Sequence, residues 1–557
     1  MKRCLVLLLI AGAALAAAPY PETGEGMAAA DHVLASEAGA EILRRGGNAA
    51  DAAVATVLAA GVVQPAGSGL GGGGFAVIVE GEERTVLDFR EIAPAAASAD
   101  MYLGDDGEVV KDASRVGGLA VGVPGEGRGL AQLARDHGSL RLRDLAAPAI
   151  RLARSGFGAG PHLVAALDKK PHMALLFDGT PDDIHVDLVL KRRALAKSID
   201  SWARSGGEAL NTGSIARSLA STVQESGGVL TVEDLADYQP TVREPLVGSY
   251  RGYTVVTMPP PSSGGAALLQ MLAVLEGHDL EALGHNSSAH VHLLAEAMKH
   301  AYADRAEFMG DPAFVEVPVD RMLDAERIAE IQASIWPTRT FERGYYGTLS
   351  ALPDDAGTQH ISTMDASGMA VALTTTINTS FGSQVVDPAS GILLNNEMDD
   401  FVAKPGVPNA YGLIGKESNA VAPGKKPLSS MTPTIVLDAE GEVVLAVGGS
   451  GGPFIISSTL QVLSNVLDFG MDAGDAVTVP RVHHQWVPER LFVDEGIPRD
   501  VIVSLEGRGH EVDQRHFYSC VQVIVAREHG LEGASDPRKG GWPASVGIGG
   551  ATGARAP

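Results

Sequence analysis

Cysteine is almost absent from this chain of 557 residues, which carries only Cys4 and Cys520. Cys4 lies in an N-terminal segment with the marks of a removable signal. Its loss would leave Cys520 alone, so the exported protein has no disulfide of its own. Positive charge is also scarce. Lys and Arg total 43 against 68 Asp and Glu, for a formal net charge of −25 and a pI near 5.0. Such a surface repels nucleic acid and acidic membranes, and argues against phosphate binding. Long apolar runs are missing apart from Cys4–Ala18. That run follows Lys2 and Arg3 and leads into alanines and Pro19. It is short for a membrane span and has the order of a secretory signal peptide, here residues 1–18. Export without disulfides suits a bacterial periplasm or exterior, with no stable membrane anchor. No internal repeat and no low-complexity tract occur beyond the signal. What is present is ordinary for a folded soluble protein, at 45% hydrophobic and 20% charged residues.

The N-terminal half reads as helices with a few strands. "DHVLASEAGAEILRRGGNAADAAVATVLAAGVVQP" is two helices split by Gly46-Gly47. Leu34, Ala38 and Ile42 share a face of the first. Asn48 caps the second, with Asp51 in the capping-box position. "GLGGGGFAVIV" opens a buried strand that pairs with "RTVLDFRE" across "EGEE". Residues 138–240 and 264–310 are mainly helical, with a strand at "YTVVTMPPPSSGG" between them that ends in a proline turn. Residues 338–357 read as a loop. From Thr358 onward short strands follow at close spacing: "HISTMD", "MAVALTTTINTS", "GILLNN", "TPTIVLD" and "EVVLAVGG". Helices return at "ISSTLQVLSNVLDF" and near "PRDVIVSLEGRG". Helices layered around sheets, with strands from both halves, predict one layered α+β domain.

Three segments could carry chemistry. "GLGGGGF" (69–75) sits between a helix and a strand, the reverse of a dinucleotide fingerprint, and reads as close backbone packing. "GGSGGPF" (448–454) is similar to the "GDSGGP" around the nucleophile of trypsin-like proteases. Gly449 stands where those have Asp, however, and no histidine occupies a matching context. Gly451 and Gly452 can instead turn two backbone N–H groups toward one point, as an oxyanion hole requires. The third is Thr358, behind Gly357 in "DDAGTQHISTMD". A threonine hydroxyl needs a base to act as a nucleophile. Cleavage of the Gly357–Thr358 bond would supply one, because a free α-amine titrates near neutrality, with a reference pKa of about 7.7–8.0. His483 and His484 in "RVHHQW" are adjacent on a strand, point to opposite faces and read as structural.

The segments "DFREIAP", "MPPPSSGG", "TQHISTMD", "TTTINTSFGS", "GILLNNEMDDF", "KPGVPNAYGLIG", "PLSSMTPTI" and "GGSGGP" occur in this order. Together they resemble the γ-glutamyltransferase family of N-terminal-nucleophile hydrolases, over about residues 26–540. The resemblance implies a four-layer α/β/β/α sandwich made as an inactive precursor. Residues 19–357 would form a large chain and 358–557 a small catalytic one, held together as a heterodimer. Thr358 would be both the cleavage residue and the nucleophile, Gly451 and Gly452 the oxyanion hole, and Thr376 a support for Thr358. Arg90 with Ser429 and Ser430 would hold a substrate α-carboxylate. Glu397 and Asp400, helped by Asn378, would hold its α-ammonium. Tyr411 would lie on a lid loop. Many members have a second threonine where this chain has Gln359.

The implied substrates are glutathione or other γ-glutamyl compounds, with water, amino acids or dipeptides as acceptors and no metal or organic cofactor. The chemistry agrees. A γ-glutamyl group ends in a free amino acid head, so its recognition needs an anion binder and a cation binder close together. Two alternatives stand beside this one. A glutaryl-β-lactam acylase of the same fold would do without the α-ammonium contacts, and a non-enzymatic secreted binding protein would never be cut.

Overall fold

The computed structural model describes residues 21–180, 182–347, 357–404, 407, 417–517 and 519–547. The signal segment 1–18 and Tyr411 lie outside them, as do residues 348–356 of the expected loop. The rest of that loop contains a short 3-10 turn, Arg343–Tyr345.

Two seven-stranded sheets form the centre. The first runs, in spatial order, Ala544–Val546, Gly26–Ala30, Thr358–Met364, Ala370–Thr376, Gly73–Glu80, Glu83–Asp88 and Thr241–Arg243. The second runs Glu22–Gly24, Gly530–Ser535, Cys520–Arg527, Val443–Ser450, Thr434–Leu437, Tyr253–Thr257 and Leu246–Tyr250. Every paired neighbour in both is antiparallel. Both sheets draw strands from either side of the Gly357–Thr358 bond, as the strand pattern predicts.

Side-chain alternation along the strands builds the layers. In Gly73–Glu80, Phe75, Val77 and Val79 join an apolar cluster with Val256, Ile435, Ala446 and Ile524 of the facing sheet. Ala76 and Ile78 point the other way, into a core shared with helices Val33–Arg44, Ala49–Val63, Leu142–Ser155 and Arg193–Arg204. The outer face of the second sheet packs on helices Gly264–Glu276, Ser288–Phe308 and Phe454–Leu467. The stack is therefore helix, sheet, sheet, helix. Ala49–Val63 is buried along its whole length, between a sheet and other helices. Asn48 closes its N-terminus through the capping box with Asp51. The predicted hairpin is present too, with Glu80 opposite Glu83 and Phe75 opposite Asp88.

The glycine-rich segment 69–75 is a packing device, as its position between helix and strand implies. A methyl group on Gly71 would lie 2.0 Å from the Leu393 carbonyl oxygen, and one on Gly72 2.0 Å from that of Thr376. The backbone here runs directly against the strand end that carries Thr376. Gly72→Ala should therefore lower stability by roughly 2–3 kcal/mol or more, read as a shift of the denaturation midpoint. Gly344→Ala, where an added methyl has nothing within 4 Å, should leave the midpoint in place. Equal midpoints for the two variants would remove the packing argument.

Candidate active site

Alternation also aims Thr358. Along Thr358–Met364, Gln359, Ile361 and Thr363 face the helical layer: Gln359 Nε2 donates to the Gln64 carbonyl, and Thr363 Oγ1 to that of Ala49. His360, Ser362 and Met364 face the other sheet, where Ser362 Oγ donates to the Ala446 carbonyl. Thr358 shares their parity, so its hydroxyl enters the gap between the sheets. The residue is only 4% exposed. Gln359, where many family members have threonine, is tied to the helical layer by a further bond to Ser68 Oγ.

Register places Thr358 opposite Thr376, and Thr376 opposite Gly73. The Thr376 hydroxyl donates to the Gly357 carbonyl at 2.8 Å and accepts the Asn378 backbone N–H at 2.8 Å. Its single proton is thereby committed, so the 3.2 Å contact with Thr358 Oγ1 has Thr358 as the donor. One hydroxyl thus touches both the Thr358 hydroxyl and the carbonyl that precedes it. Gly357 is held by its own N–H, which donates to the Asn378 carbonyl at 2.9 Å. A Cβ on Gly357 would come within 2.5 Å of the Thr379 carbonyl carbon, and its φ is not left-handed. The glycine is required by this close approach of two backbones.

Gly451 and Gly452 lie between strand Val443–Ser450 and helix Phe454–Leu467, with φ of +129° and +57°. Two successive positive φ values at a helix N-terminus suit only glycine and swing backbone N–H groups out of the strand ladder. Ser450 is buried and tied into a polar network. Its hydroxyl donates to Asp31 Oδ2 at 3.2 Å and accepts Lys539 Nζ at 2.5 Å. Lys539 Nζ also donates to Asp31 Oδ2 and, at 3.0 Å, to the Thr358 carbonyl oxygen. Sequence reasoning missed Lys539 and Asp31. They stand at opposite ends of the chain, and neither carries a local motif.

Beside Thr358 a small pocket of about 20 Å³ is lined by Arg90, Arg305, Asn378, Glu397, Asp400, Ser429 and Ser430, among others. The site residues named from the sequence therefore converge, Tyr411 apart. Glu397–Asp400 is a single 3-10 turn, which brings both acids to one side. The sequence expects Arg90 to hold an anion and Glu397 and Asp400 a cation; in the structure, which holds no substrate, these three groups pair with one another: Arg90 Nη1 with Glu397, and Nη2 with Asp400 at 2.6 Å. Arg90 is 1% exposed, and a buried guanidinium requires neutralisation. Its Nε donates to the Pro427 carbonyl. Asn378 Nδ2 donates to the Asn396 carbonyl, and Ser429 Oγ accepts the Met431 N–H.

A second guanidinium, which no motif signalled, completes the pocket. Arg305, from helix Ser288–Phe308, donates to Ser263 Oγ at 2.9 Å and to Ser430 Oγ at 3.4 Å. Burial lowers its pKa to about 10, so it stays charged at neutral pH. Burial likewise pushes the Glu397 and Asp400 carboxyls up, against the pull of Arg90. Two cations and two acids thus face one another beside Thr358. His483 and His484 are elsewhere and buried, with His483 Nδ1 on Ser457 Oγ at 2.7 Å.

A family profile described as gamma-glutamyltranspeptidase matches residues 35–546. The glutathione hydrolase proenzyme of Escherichia coli (strain K12) is 39% identical over 568 residues, covering 97% of each chain. That of Bacillus subtilis (strain 168) is 37% identical, covering 94% of this chain and 92% of the relative. Among solved structures, a cephalosporin acylase from Bacillus halodurans superposes with a TM-score of 0.82 at 28% identity, over 95% of this chain and 96% of that one. A Helicobacter pylori gamma-glutamyltranspeptidase chain superposes with a TM-score of 0.56 at 40% identity, over 58% of this chain and 95% of that one. With a family match over most of its length and the N-terminal-nucleophile fold of these neighbours, this chain belongs to the γ-glutamyltranspeptidase family.

Proposed function

We propose that this chain is an autoprocessing γ-glutamyltransferase. It cleaves the γ-glutamyl amide of glutathione and related compounds, and passes the γ-glutamyl group to water, amino acids or dipeptides. The observation that carries this is the pairing of Arg90 and Arg305 with Glu397 and Asp400, next to Thr358. A substrate with a free amino acid head brings one positive and one negative charge to a pocket that already balances both. A glutaryl group has no ammonium, and the two acids would then have no ligand charge to meet. Their presence favours the γ-glutamyl substrate over the acylase alternative.

Maturation starts at Thr376. Its hydroxyl polarises the Gly357 carbonyl while accepting the Thr358 O–H. Thr358 Oγ adds to the Gly357 carbonyl carbon, the C–N bond breaks, and the Thr358 nitrogen takes the proton. Water then hydrolyses the resulting ester and frees the hydroxyl. The new α-amine serves as base in turnover. It accepts the Oγ proton as Oγ bonds to the γ-carbonyl carbon, and the Gly451 and Gly452 N–H groups meet the oxyanion. The proton passes to the leaving amine, and water or an acceptor amine releases the acyl group. Residues 19–357 and 358–557 would remain as one folded heterodimer. Residues 1–18 would direct export to the periplasm or medium. No helix among the described residues is long and apolar enough to cross a membrane. Tyr411 would cover the pocket from a lid loop.

Three outcomes are expected. On a denaturing gel the purified protein gives two bands, the smaller beginning at Thr358, while Thr358→Ala stays as one; efficient cutting of Thr358→Ala would end the assignment. Arg90→Lys keeps a charge but loses the planar fork. Its kcat/KM on γ-glutamyl amides should fall by an amount equivalent to roughly 2–5 kcal/mol, and an unchanged value would place the carboxylate elsewhere. Gly357→Val, which forces a side chain against Thr379 and Ser380, should slow band conversion while activity per processed molecule stays near normal. Conversion at the parent rate would show that this crowding does not govern cleavage.

A further inference from the structure

Lys539 is a cation bonded to Thr358 itself. It ends the 3-10 turn Pro537–Lys539, and the three protons of its ammonium are all committed. They go to the Thr358 carbonyl oxygen at 3.0 Å, to Asp31 Oδ2 at 3.1 Å and to Ser450 Oγ at 2.5 Å. Burial works against this charge, but Asp31 outweighs burial and holds the Lys539 pKa above the ordinary lysine value. The side chain is therefore charged at neutral pH. Asp31 is anchored through its other oxygen by Gln522 Nε2. The member of the pair bonded to Thr358 is the cation. Gly357, Thr358 and Lys539 all border one cavity of about 550 Å³. Cutting of the Gly357–Thr358 bond would thus open a new α-amine into the space that holds this ammonium.

Building on the function proposed above, we infer that Lys539 is a positioning residue for the reaction: its ammonium, fixed beside the Thr358 α-amine, disfavours a second positive charge there and keeps that amine a free base at neutral pH. Covalent geometry sets the distance. The nitrogen and the carbonyl oxygen of one residue are joined through two carbons, so the α-nitrogen lies within about 7 Å of Lys539 Nζ at any backbone angle. Like charges that close, in a site partly closed to water, shift a titration by roughly one pH unit. The protonated amine is the form penalised, so its pKa falls below the ordinary α-amine range of about 7.7–8.0. Asp31 offsets part of this. Arg115, Lys169, Lys170 and Arg515 also border the cavity and act with Lys539, and His516 stands among them. His162, held at about 4 chiefly by burial, is neutral. On the other side of Thr358, Arg90 and Arg305 stand against Glu397 and Asp400, and their charges balance. In the precursor the Thr358 nitrogen is an uncharged amide, so the lysine opposes no charge until the chain is cut. The amine then gives its extra proton to solvent, and its lone pair is ready for the Thr358 Oγ proton.

Two measurements on the processed protein test this. Cyanate carbamoylates an amine only in its unprotonated form. The rate at which Thr358 gains a carbamoyl group, read against pH by mass spectrometry of the small chain's N-terminal peptide, therefore titrates the amine without any substrate. Its midpoint should lie roughly 0.5–1 pH unit below the ordinary α-amine range, and should return toward that range in Lys539→Gln. Lys539→Arg keeps the charge and should keep the parent midpoint. The acid limb of kcat/KM for γ-glutamyl-4-nitroanilide should move the same way, so that Lys539→Gln loses activity at a higher pH than the parent. Lower kcat/KM at every pH with an unmoved midpoint would make Lys539 a purely structural residue and overturn the inference. A parent midpoint within the ordinary range would overturn it as well, and that result needs no variant to fold. A depressed midpoint without turnover of the nitroanilide by the processed parent would overturn the γ-glutamyl function and leave the effect of the lysine on the amine standing. A parent that is never cut would overturn both.

Discussion

The antiparallel register that sets Thr358 opposite Thr376 is the constraint on which the rest of the site depends. A shift of one residue would turn the Thr358 hydroxyl into the helical layer, where Gln359 now lies. The register is held from both sides. Gly72 and Gly74 let the neighbouring strand run against the strand that carries Thr376 without side chains, and Lys539, in the turn Pro537–Lys539, holds the Thr358 carbonyl. With the strand fixed, one hydroxyl on Thr376 can touch both the Thr358 hydroxyl and the preceding carbonyl. Under the proposed maturation, nothing at this point of contact would need to move far for the first acyl shift.

Electrostatics divides the space around that hydroxyl into two unlike compartments. On one side the charges are balanced, with Arg90 and Arg305 against Glu397 and Asp400. Room there is about 20 Å³, so under the proposed function an amino acid head would exchange with existing ion pairs rather than fill a preformed hollow. Such exchange discriminates sharply, because a ligand that lacks either charge leaves a buried partner unmatched. On the other side the space is about 550 Å³ and is lined by Arg115, Lys169, Lys170, Arg515 and Lys539.

The parts of this arrangement visible in the sequence are those coded by contiguous residues. The capping box at Asn48, the hairpin between Gly73–Glu80 and Glu83–Asp88, and the paired acids of "NNEMDDF" each sit within a short window. The close-packing role of "GLGGGG" was legible because its order excludes a nucleotide loop. Gly26–Ala30, Cys520–Arg527 and Gly530–Ser535 were not legible as strands. "GMAAA" has no strand propensity and is extended because neighbours on both sides pair with it. Asp31, Arg305 and Lys539 lack local signals altogether, since they meet the site only through the fold. The mutual pairing of Arg90 with the two acids was not legible either, because sequence reveals which charges are present but not which are buried together.

Both sheets take strands from the two sides of the bond before Thr358, and Thr358–Met364 itself lies between Gly26–Ala30 and Ala370–Thr376. The uncut chain closes these pairings within one molecule. Once that bond is gone, the same pairings can be remade only by two separate polypeptides meeting in solution. Rebuilding would then depend on concentration and compete with aggregation of exposed strands. The mature particle would persist because its unfolding is slow, not because the unfolded pieces can readily return. Cleavage would thus convert a reversible folding problem into a lifetime, with the precursor as the only form that folds by itself.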